Sequence, residues 1–344
     1  MHIKVHIFIF LLVKVYMLKK MLMSALFFFM AACLVLIIAA ELLVKSLTKV
    51  AFYFGMTDFI VGFMIVAIAT SIPELFIGVS SALEGNPDLS LGNVLGSNII
   101  DLTLVVGVMA LLRRGIRMET KAVQTDTLYM FLITVLPLAL MIMGNSLDRF
   151  DGFVLVAAFF LYLARVFVQR SRFREETGEK VSHAEFMKNG AIAIVSVFLL
   201  LASAQFLVKA ASTLAFDLLS PSILVGLFLI SIGTTLPELI FGSGAILMKH
   251  KYMAFGDIIG SVVANNTLVL GTVALVSNTP LQPNMFLFLI SAFFMVIVAF
   301  LFTTFVEVEK HILWQEGVAL IMLYVLFVIV VLNIRMLEIS YGIQ

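Results

Sequence analysis

Ten stretches of about twenty predominantly apolar residues follow one another through this 344-residue chain with only short polar connections between them. A helix rising 1.5 Å per residue needs about that length to cross roughly 30 Å of hydrocarbon. Inside hydrocarbon only a helix or a closed barrel can satisfy its own backbone. The spacing therefore predicts an all-α membrane protein of ten transmembrane helices, near 22–46, 58–83, 91–112, 124–143, 150–169, 190–214, 222–247, 255–276, 284–304 and 314–335. Charged residues make up 12% of the chain, about half the share of a soluble domain. No connection is long enough for a separate soluble domain. Residues 1–20 read as an N-terminal extension, signal-like or interfacial. Cys33, the one cysteine, can form neither an intramolecular disulfide nor a thiolate metal site and reads as structural.

The distribution of lysine and arginine predicts the orientation in a cell membrane. With the amino terminus outside, Lys45, Lys49, Arg113, Arg114, Arg117, Lys121, Arg165, Arg170, Arg172, Arg174, Lys180, Lys188, Lys249, Lys251 and Lys310 become cytoplasmic, fifteen of the 22 basic residues. The loops at 84–90 and 277–283, on the other side, carry none. The polar stretch 170–189 is then a cytoplasmic hinge between halves at 21–169 and 190–344. A net charge of +1 gives no reason to expect nucleic acid as a partner.

The halves repeat each other. ATSIPELFIG at 69–78 returns as GTTLPELIFG at 233–242, GNVLGSNIID at 92–101 as GDIIGSVVAN at 256–265, and TLVVG at 103–107 as TLVLG at 267–271. All three keep one offset of 164 residues, with thirteen identities in thirty-nine ungapped positions. The copies begin five spans apart, and an odd number of crossings inverts the second copy in the membrane. Inverted repeats are characteristic of secondary transporters, whose sites lie at the midplane on interrupted helices.

The repeated residues suit a hard cation. Pro73 and Pro237 lack an N–H and leave the carbonyls of Ala69 and Gly233 without their helical donor. Thr70 with Glu74, and Thr234 with Glu238, stand four residues apart on one helical face, beside Ser71 and Thr235. In the next span Asn93, Ser97 and Asp101 form a polar stripe, as do Asp257, Ser261 and Asn265. Gly92, Gly96, Gly256 and Gly260 let these helices approach a neighbour closely. Asn93 and Asp257 read as supporting residues that cap or bridge near the site. Carboxylates, hydroxyls, carbonyls and an amide are all oxygen donors, as Ca²⁺ prefers, whereas Mg²⁺ demands a more rigid octahedron. The histidines at 2, 6, 183, 250 and 311 lie outside the spans or at their ends, which argues against zinc or copper. Carboxylates in low dielectric need counter-charge at all times, so a divalent ion, several Na⁺ or protons would compete for them. Competition combined with alternating access amounts to exchange. Glu41 and Lys45, at i and i+4, read as a simple ion pair. The frequent phenylalanines and methionines read as lipid-facing or core residues.

The paired TSxPE-like and GNxxGSN-like or GDxxGS-like motifs resemble the alpha-repeats of the calcium/cation antiporter superfamily, and most of all the ten-helix prokaryotic sodium/calcium exchangers. The resemblance implies a Ca²⁺/Na⁺ antiporter that needs no cofactor. It implies that Glu74 and Glu238 are the central calcium ligands, that Thr70 and Thr234 contribute carbonyls, and that Ser97, Ser261 and Ser231 help to hold sodium. Asp101 and Asn265 complete a four-cornered pocket, with amide and carboxylate exchanged between the repeats relative to the family pattern. It also implies that the first and sixth spans slide over the other eight. Proton-coupled relatives tend to carry a GNxxE-type first motif, so TSxPE favours sodium over a proton/calcium exchanger, while a potassium-dependent exchanger is the other alternative. An intramembrane protease built on Ser243 and His250, or on two aspartates, is a remote alternative, because serine and histidine sit seven residues apart with no second motif.

Overall fold

The computed structural model describes residues 66–341 apart from 119–120, 170–180, 218–220, 248 and 250. Before these it describes 23, 26–35, 38–39, 41–42, 45–46, 49–50 and 53. The extension at 1–20 and residues 170–180 of the expected hinge thus lie outside the described residues. Helices dominate: α1 (Leu26–Val35) and α2 (Ala67–Leu83), α3 (Pro87–Arg113), α4 (Lys121–Gly144), α5 (Arg149–Gln169), α6 (His183–Asp217), α7 (Ser222–Leu247), α8 (Lys251–Val276), α9 (Met285–Glu309) and α10 (Trp314–Tyr341). Six of them, α3, α4 and α7 to α10, contain segments long and apolar enough to cross a membrane.

Local chemistry sets several helix starts. Asn86 precedes Pro87, whose fixed φ suits the first helical turn, so α3 begins earlier than its apolar run suggests. Asn284 accepts from the Phe286 and Leu287 amides at 3.1 and 3.2 Å and caps α9. Ser182 and Glu185 form a reciprocal capping box: the Ser182 amide donates to Glu185 Oε2 at 3.0 Å and the Glu185 amide to Ser182 Oγ at 3.2 Å. The hinge expected to run to Asn189 therefore stops at Ser182, and the seven residues that follow are already helical. These bonds to Ser182 also hold the Glu185 carboxyl below the usual glutamate range.

Side chains are distributed inside out relative to a water-soluble globule. Phe293 is 65% exposed while Glu238 is 1% exposed, the pattern of a bundle whose solvent is hydrocarbon. Glu41 and Lys45 pair at 2.5 Å on the surface, as their spacing predicts. Arg165 reaches Asp126 at 2.7 Å and lies over the Tyr129 ring, tying α5 to α4. One large core joins residues of α3 to α5 and α7 to α10. A smaller cluster gathers Phe29, Ala32 and Cys33 of α1 and Ala193 and Ala210 of α6 over Ile77, Leu89, Val225 and Ile230.

The two ends of the bundle mirror each other. At one end Ile116 and Arg117 pair antiparallel with Ile312 and His311, and Lys251 Nζ, at the start of α8, donates to the Arg117 carbonyl at 2.9 Å. At the other, Leu147 pairs with Leu281. Arg117 and Leu281 are one repeat apart, and so are Leu147 and His311. Hence α8 starts where α3 ends, and the equivalent helices of the two halves run in opposite directions.

Glycines bring α3 and α7 into backbone contact. A Cβ on Gly92 would lie 2.1 Å from the Ile223 carbonyl oxygen, and one on Gly226 would lie 2.2 Å from that of Leu89. Gly92→Ala is expected to lower the thermal unfolding midpoint by the equivalent of about 1–3 kcal/mol of overpacking. Gly244→Ala, where nothing lies within 4 Å of the added carbon, is expected to leave it unchanged; unfolding followed by fluorescence-detected size exclusion in detergent compares the two.

Candidate ion-binding site

The polar motifs meet by crossing between halves. Thr70 of α2 places its Oγ1 3.1 Å from Asp257 Oδ1 and 3.1 Å from Ser261 Oγ, both on α8. Thr234 of α7 does the same against α3, with Oγ1 3.3 Å from Asn93 Oδ1 and 3.2 Å from Ser97 Oγ. Every member of the first set has its counterpart in the second at the repeat offset. The backbone follows the same rule: the Ala67 carbonyl lies 3.2 Å from Thr70 Oγ1 and 3.5 Å from Ser261 Oγ, and the Ser231 carbonyl accepts from Thr234 at 3.3 Å and Thr235 at 2.6 Å. Each short threonine side chain thus bridges its own helix to the stripe of the opposite half.

The prolines act unequally. The first copy breaks at Ser71, between a short helix ending at Thr70 and one starting at Ile72. The second runs as one helix from Ser231 through Pro237 to Leu247. Asp101 and Asn265 each open a π-helical turn, Asp101–Val105 and Asn265–Val269. Thr103 and Thr267 donate to the carbonyls of Ile99 and Val263, bridging the start of each turn. A π turn rotates everything beyond it relative to an α-helix and often accompanies function. No residue pattern announced it.

Glu74, Glu238, Asp101, Asp257 and Asn265 are all buried. Ser97 Oγ donates to Glu74 Oε1 at 3.4 Å, and Asn265 Nδ2 donates to Asn98 Oδ1 at 3.2 Å. Glu74 Oε2, Asp101 Oδ1, Glu238 Oε2, Asp257 Oδ2 and Asn265 Oδ1 have no hydrogen-bond partner among the described residues, and neither does Ser71 Oγ. Glu74, Asp101 and Asp257 all lie close enough to Glu238 for their charges to interact. Such unpaired buried oxygens are costly unless something else satisfies them. Among the described residues no group of three or more His, Cys, Asp or Glu side chains is arranged to hold a metal by itself. Cation binding here would therefore draw on hydroxyls, carbonyls and amides as much as on carboxylates.

Ser231 Oγ donates to the Leu227 carbonyl at 2.5 Å, which leaves its lone pairs open, and its own carbonyl accepts from the two threonines. Asp257 is bonded to Thr70 through one carboxyl oxygen and carries a second that is unpaired among the described residues. Asn98 was not foreseen, because its repeat counterpart is Val262 and the symmetry hides it. The small residues assist: Gly96 meets Leu227 and Ser231, and Gly233, just before Thr234, lies against Cys33 Sγ of α1.

The family described as sodium/calcium exchanger protein matches residues 24–168 and again 188–333. The chain belongs to the sodium/calcium exchanger family. The two matched segments begin at 24 and 188, the same offset that separates the motifs. The exchanger-family relatives include the putative antiporter CaxA of Alkalimonas amylolytica, 31% identical over 251 residues, 71% of this chain and 78% of that protein. The sodium/calcium exchanger MaX1 of Methanosarcina acetivorans is 25% identical over 338 residues, 87% of this chain and 96% of its own. Among solved structures, the sodium-calcium exchanger NCX_Mj superposes with a TM-score of 0.66 at 24% identity, covering 89% of this chain and 98% of that one; this likeness shows the fold. The present chain is accordingly a multi-pass membrane protein of a transporter family.

Thr70→Val and Thr234→Val remove equivalent hydroxyls but strand different acceptors, the carboxyl group of Asp257 and the amide oxygen of Asn93. Bonds to a charged acceptor are worth about 1.5–3 kcal/mol against about 1 for neutral ones. Thr70→Val is therefore expected to depress the unfolding midpoint more than Thr234→Val in alkaline buffer free of Na⁺ and Ca²⁺, where the Asp257 carboxyl is ionised, and by about the same amount in acid, where it is neutral.

Proposed function

We propose that this exchanger-family protein moves Ca²⁺ across the membrane in exchange for Na⁺, by alternating access to a site near the middle of ten transmembrane helices arranged as two inverted five-helix repeats. The observation that carries the reading is the crossed contact of α2 with α8 and of α7 with α3. It gathers Thr70, Glu74, Asp257 and Ser261 with Thr234, Glu238, Asn93 and Ser97 in one buried layer, with unpaired oxygens on both glutamates. Repeat-equivalent helices that run in opposite directions support the inversion.

Ca²⁺ takes six to eight oxygens, and carboxylates can serve as bidentate ligands. Glu74 and Glu238 act as its central ligands, with the backbone of Thr70 and Thr234 alongside. Na⁺ takes the neighbouring positions near Ser71, Ser97, Thr235, Ser261 and the Ser231 carbonyl, with Asp101 and Asn265 closing the pocket. Carboxylates held in hydrocarbon cannot be left bare, since each intramembrane charge costs at least about 2.5–3.5 kcal/mol. The empty site therefore does not cross readily, whereas a site loaded with either ion does, which is the condition for exchange rather than leak. The helices α1 and α6 supply the moving layer, since their side chains gather in an apolar cluster apart from the main core, and Cys33 of α1 rests on Gly233 beside Thr234. In the cell the amino terminus faces outward and the connection between α5 and α6 faces the cytoplasm.

Radioactive calcium uptake into proteoliposomes, driven in turn by outward gradients of Na⁺, K⁺ and H⁺, tests this. The Na⁺ gradient alone is expected to drive uptake, and Glu238→Gln or Glu74→Gln to reduce it to background. Uptake driven only by protons, or surviving both substitutions, rejects the reading, and a requirement for K⁺ together with Na⁺ replaces it with potassium-dependent exchange.

A further inference from the structure

Several helix ends converge at the end of the bundle that carries Arg117: α3, α7 and α9 finish there, and α4, α8 and α10 begin there. Between them lies a cavity of about 450 Å³ lined by Arg113, Arg114, Arg117, Lys249, Lys251 and His311. No carboxylate among the described residues lines it. Of the acids nearby in sequence, Glu119 lies outside the described residues, while Glu309 and Glu316 interact with each other, and Glu316 accepts from the Leu313 amide at 2.6 Å. Two of the basic side chains, Lys251 and Arg113, are bonded in place, and the backbone positions the others. Arg117 is paired with His311 in the two-stranded ladder, Lys251 is fixed to the Arg117 carbonyl, and Arg113 Nη1 donates to the Ile246 carbonyl at 3.5 Å. Arg114 and Lys249 follow the last turns of α3 and α7 with φ of 53° and 72°. So many cations around one cavity repel each other unless an anion sits among them.

A second cavity of about 440 Å³ adjoins the first and shares Arg114, with Leu111 and Trp314 as its other walls. Both are partly exposed, and tryptophan is enriched at the membrane–water boundary. Arg113 is twelve residues beyond Asp101 on the same helix, about 18 Å at 1.5 Å per residue. That is slightly more than half of the roughly 30 Å hydrocarbon layer. With Asp101 near the midplane, the basic cavity lies at headgroup depth and the apolar one beside it.

We propose that the two cavities form a binding site for an anionic phospholipid, its phosphate headgroup among Arg113, Arg114, Arg117, Lys249 and Lys251 and an acyl chain along Leu111 and Trp314. Basic pockets between helix ends on the cytoplasmic side suit such headgroups, and guanidinium groups match phosphate oxygens bidentately. The assignment rests on membrane placement and holds whichever cation drives transport.

The test is native mass spectrometry of the full-length protein in detergent, titrated with phosphatidylglycerol or phosphatidylcholine. Phosphatidylglycerol is expected to be retained selectively. The double variant Arg114→Gly/Lys249→Gly removes two charges where positive φ favours glycine, so the fold is not taxed. It is expected to bind phosphatidylglycerol about thirtyfold more weakly, at roughly five- to sixfold per charge. Arg113→Gln/Arg117→Gln is the second variant, with the same expectation, and Arg149→Gln at the opposite end of the bundle is expected to bind as wild type. Equal retention of phosphatidylcholine, or wild-type binding by both double variants, overturns the proposal. So does complete displacement of phosphatidylglycerol by millimolar inorganic phosphate, which would make the site one for a free anion.

Discussion

Gly92 and Gly226 let α3 and α7 touch backbone to backbone, with each glycine sitting where a Cβ would strike the other helix's carbonyl. Small residues at such a contact are how helices pack when lipid removes the hydrophobic drive between them. The contact fixes the height of α7 against α3, and it is this height that puts Thr234 beside Asn93 and Ser97. Threonine and serine side chains are short, so a shift of one helical turn would disconnect all of them. The polar layer therefore depends on a purely steric fact a few residues away, and the equivalent hydroxyl contacts between α2 and α8 reproduce it in the other half.

The electrostatics of that layer are symmetric in number and asymmetric in place. Each half contributes one motif glutamate and one stripe aspartate: Glu74 and Asp101 from the first, Glu238 and Asp257 from the second. The two stripes carry their carboxylate and amide in opposite order, Asn93 before Asp101 and Asp257 before Asn265. Because the halves cross, Thr70 is bonded to a carboxyl group while Thr234 is bonded to an amide. Glu74 also has a hydroxyl partner in Ser97. Two environments that are equivalent by backbone thus differ in charge. Both are buried, and in a low dielectric such differences are felt strongly.

Much of this was legible in the chain. Apolar run length announced the helices, the constant offset announced the duplication, and proline beside glutamate inside an apolar run marked the polar layer. The hinge was read too long, although Ser182 and Glu185 carry the capping-box spacing that starts α6 earlier. Asn98 was hidden by its apolar counterpart Val262, since a search guided by symmetry passes over a residue found in one copy. The π turns at Asp101 and Asn265 had no local signature, because they depend on which neighbours accept the shifted backbone and side-chain bonds.

The sequence by itself determined the features that follow from covalent structure: where a helix must lie in lipid, where an N–H is missing, where a Cβ is missing, and which side chains share a face. It could not determine which helix each face meets. A stripe at i, i+4 defines a direction around one axis and is silent about the partner across it. Only the packed structure decided that α2 binds the stripe of the second half and α7 that of the first, because the choice rests on contacts between residues some 140 to 190 positions apart. The same long-range packing gathered the basic helix ends around one cavity, which no single segment of the chain could foretell.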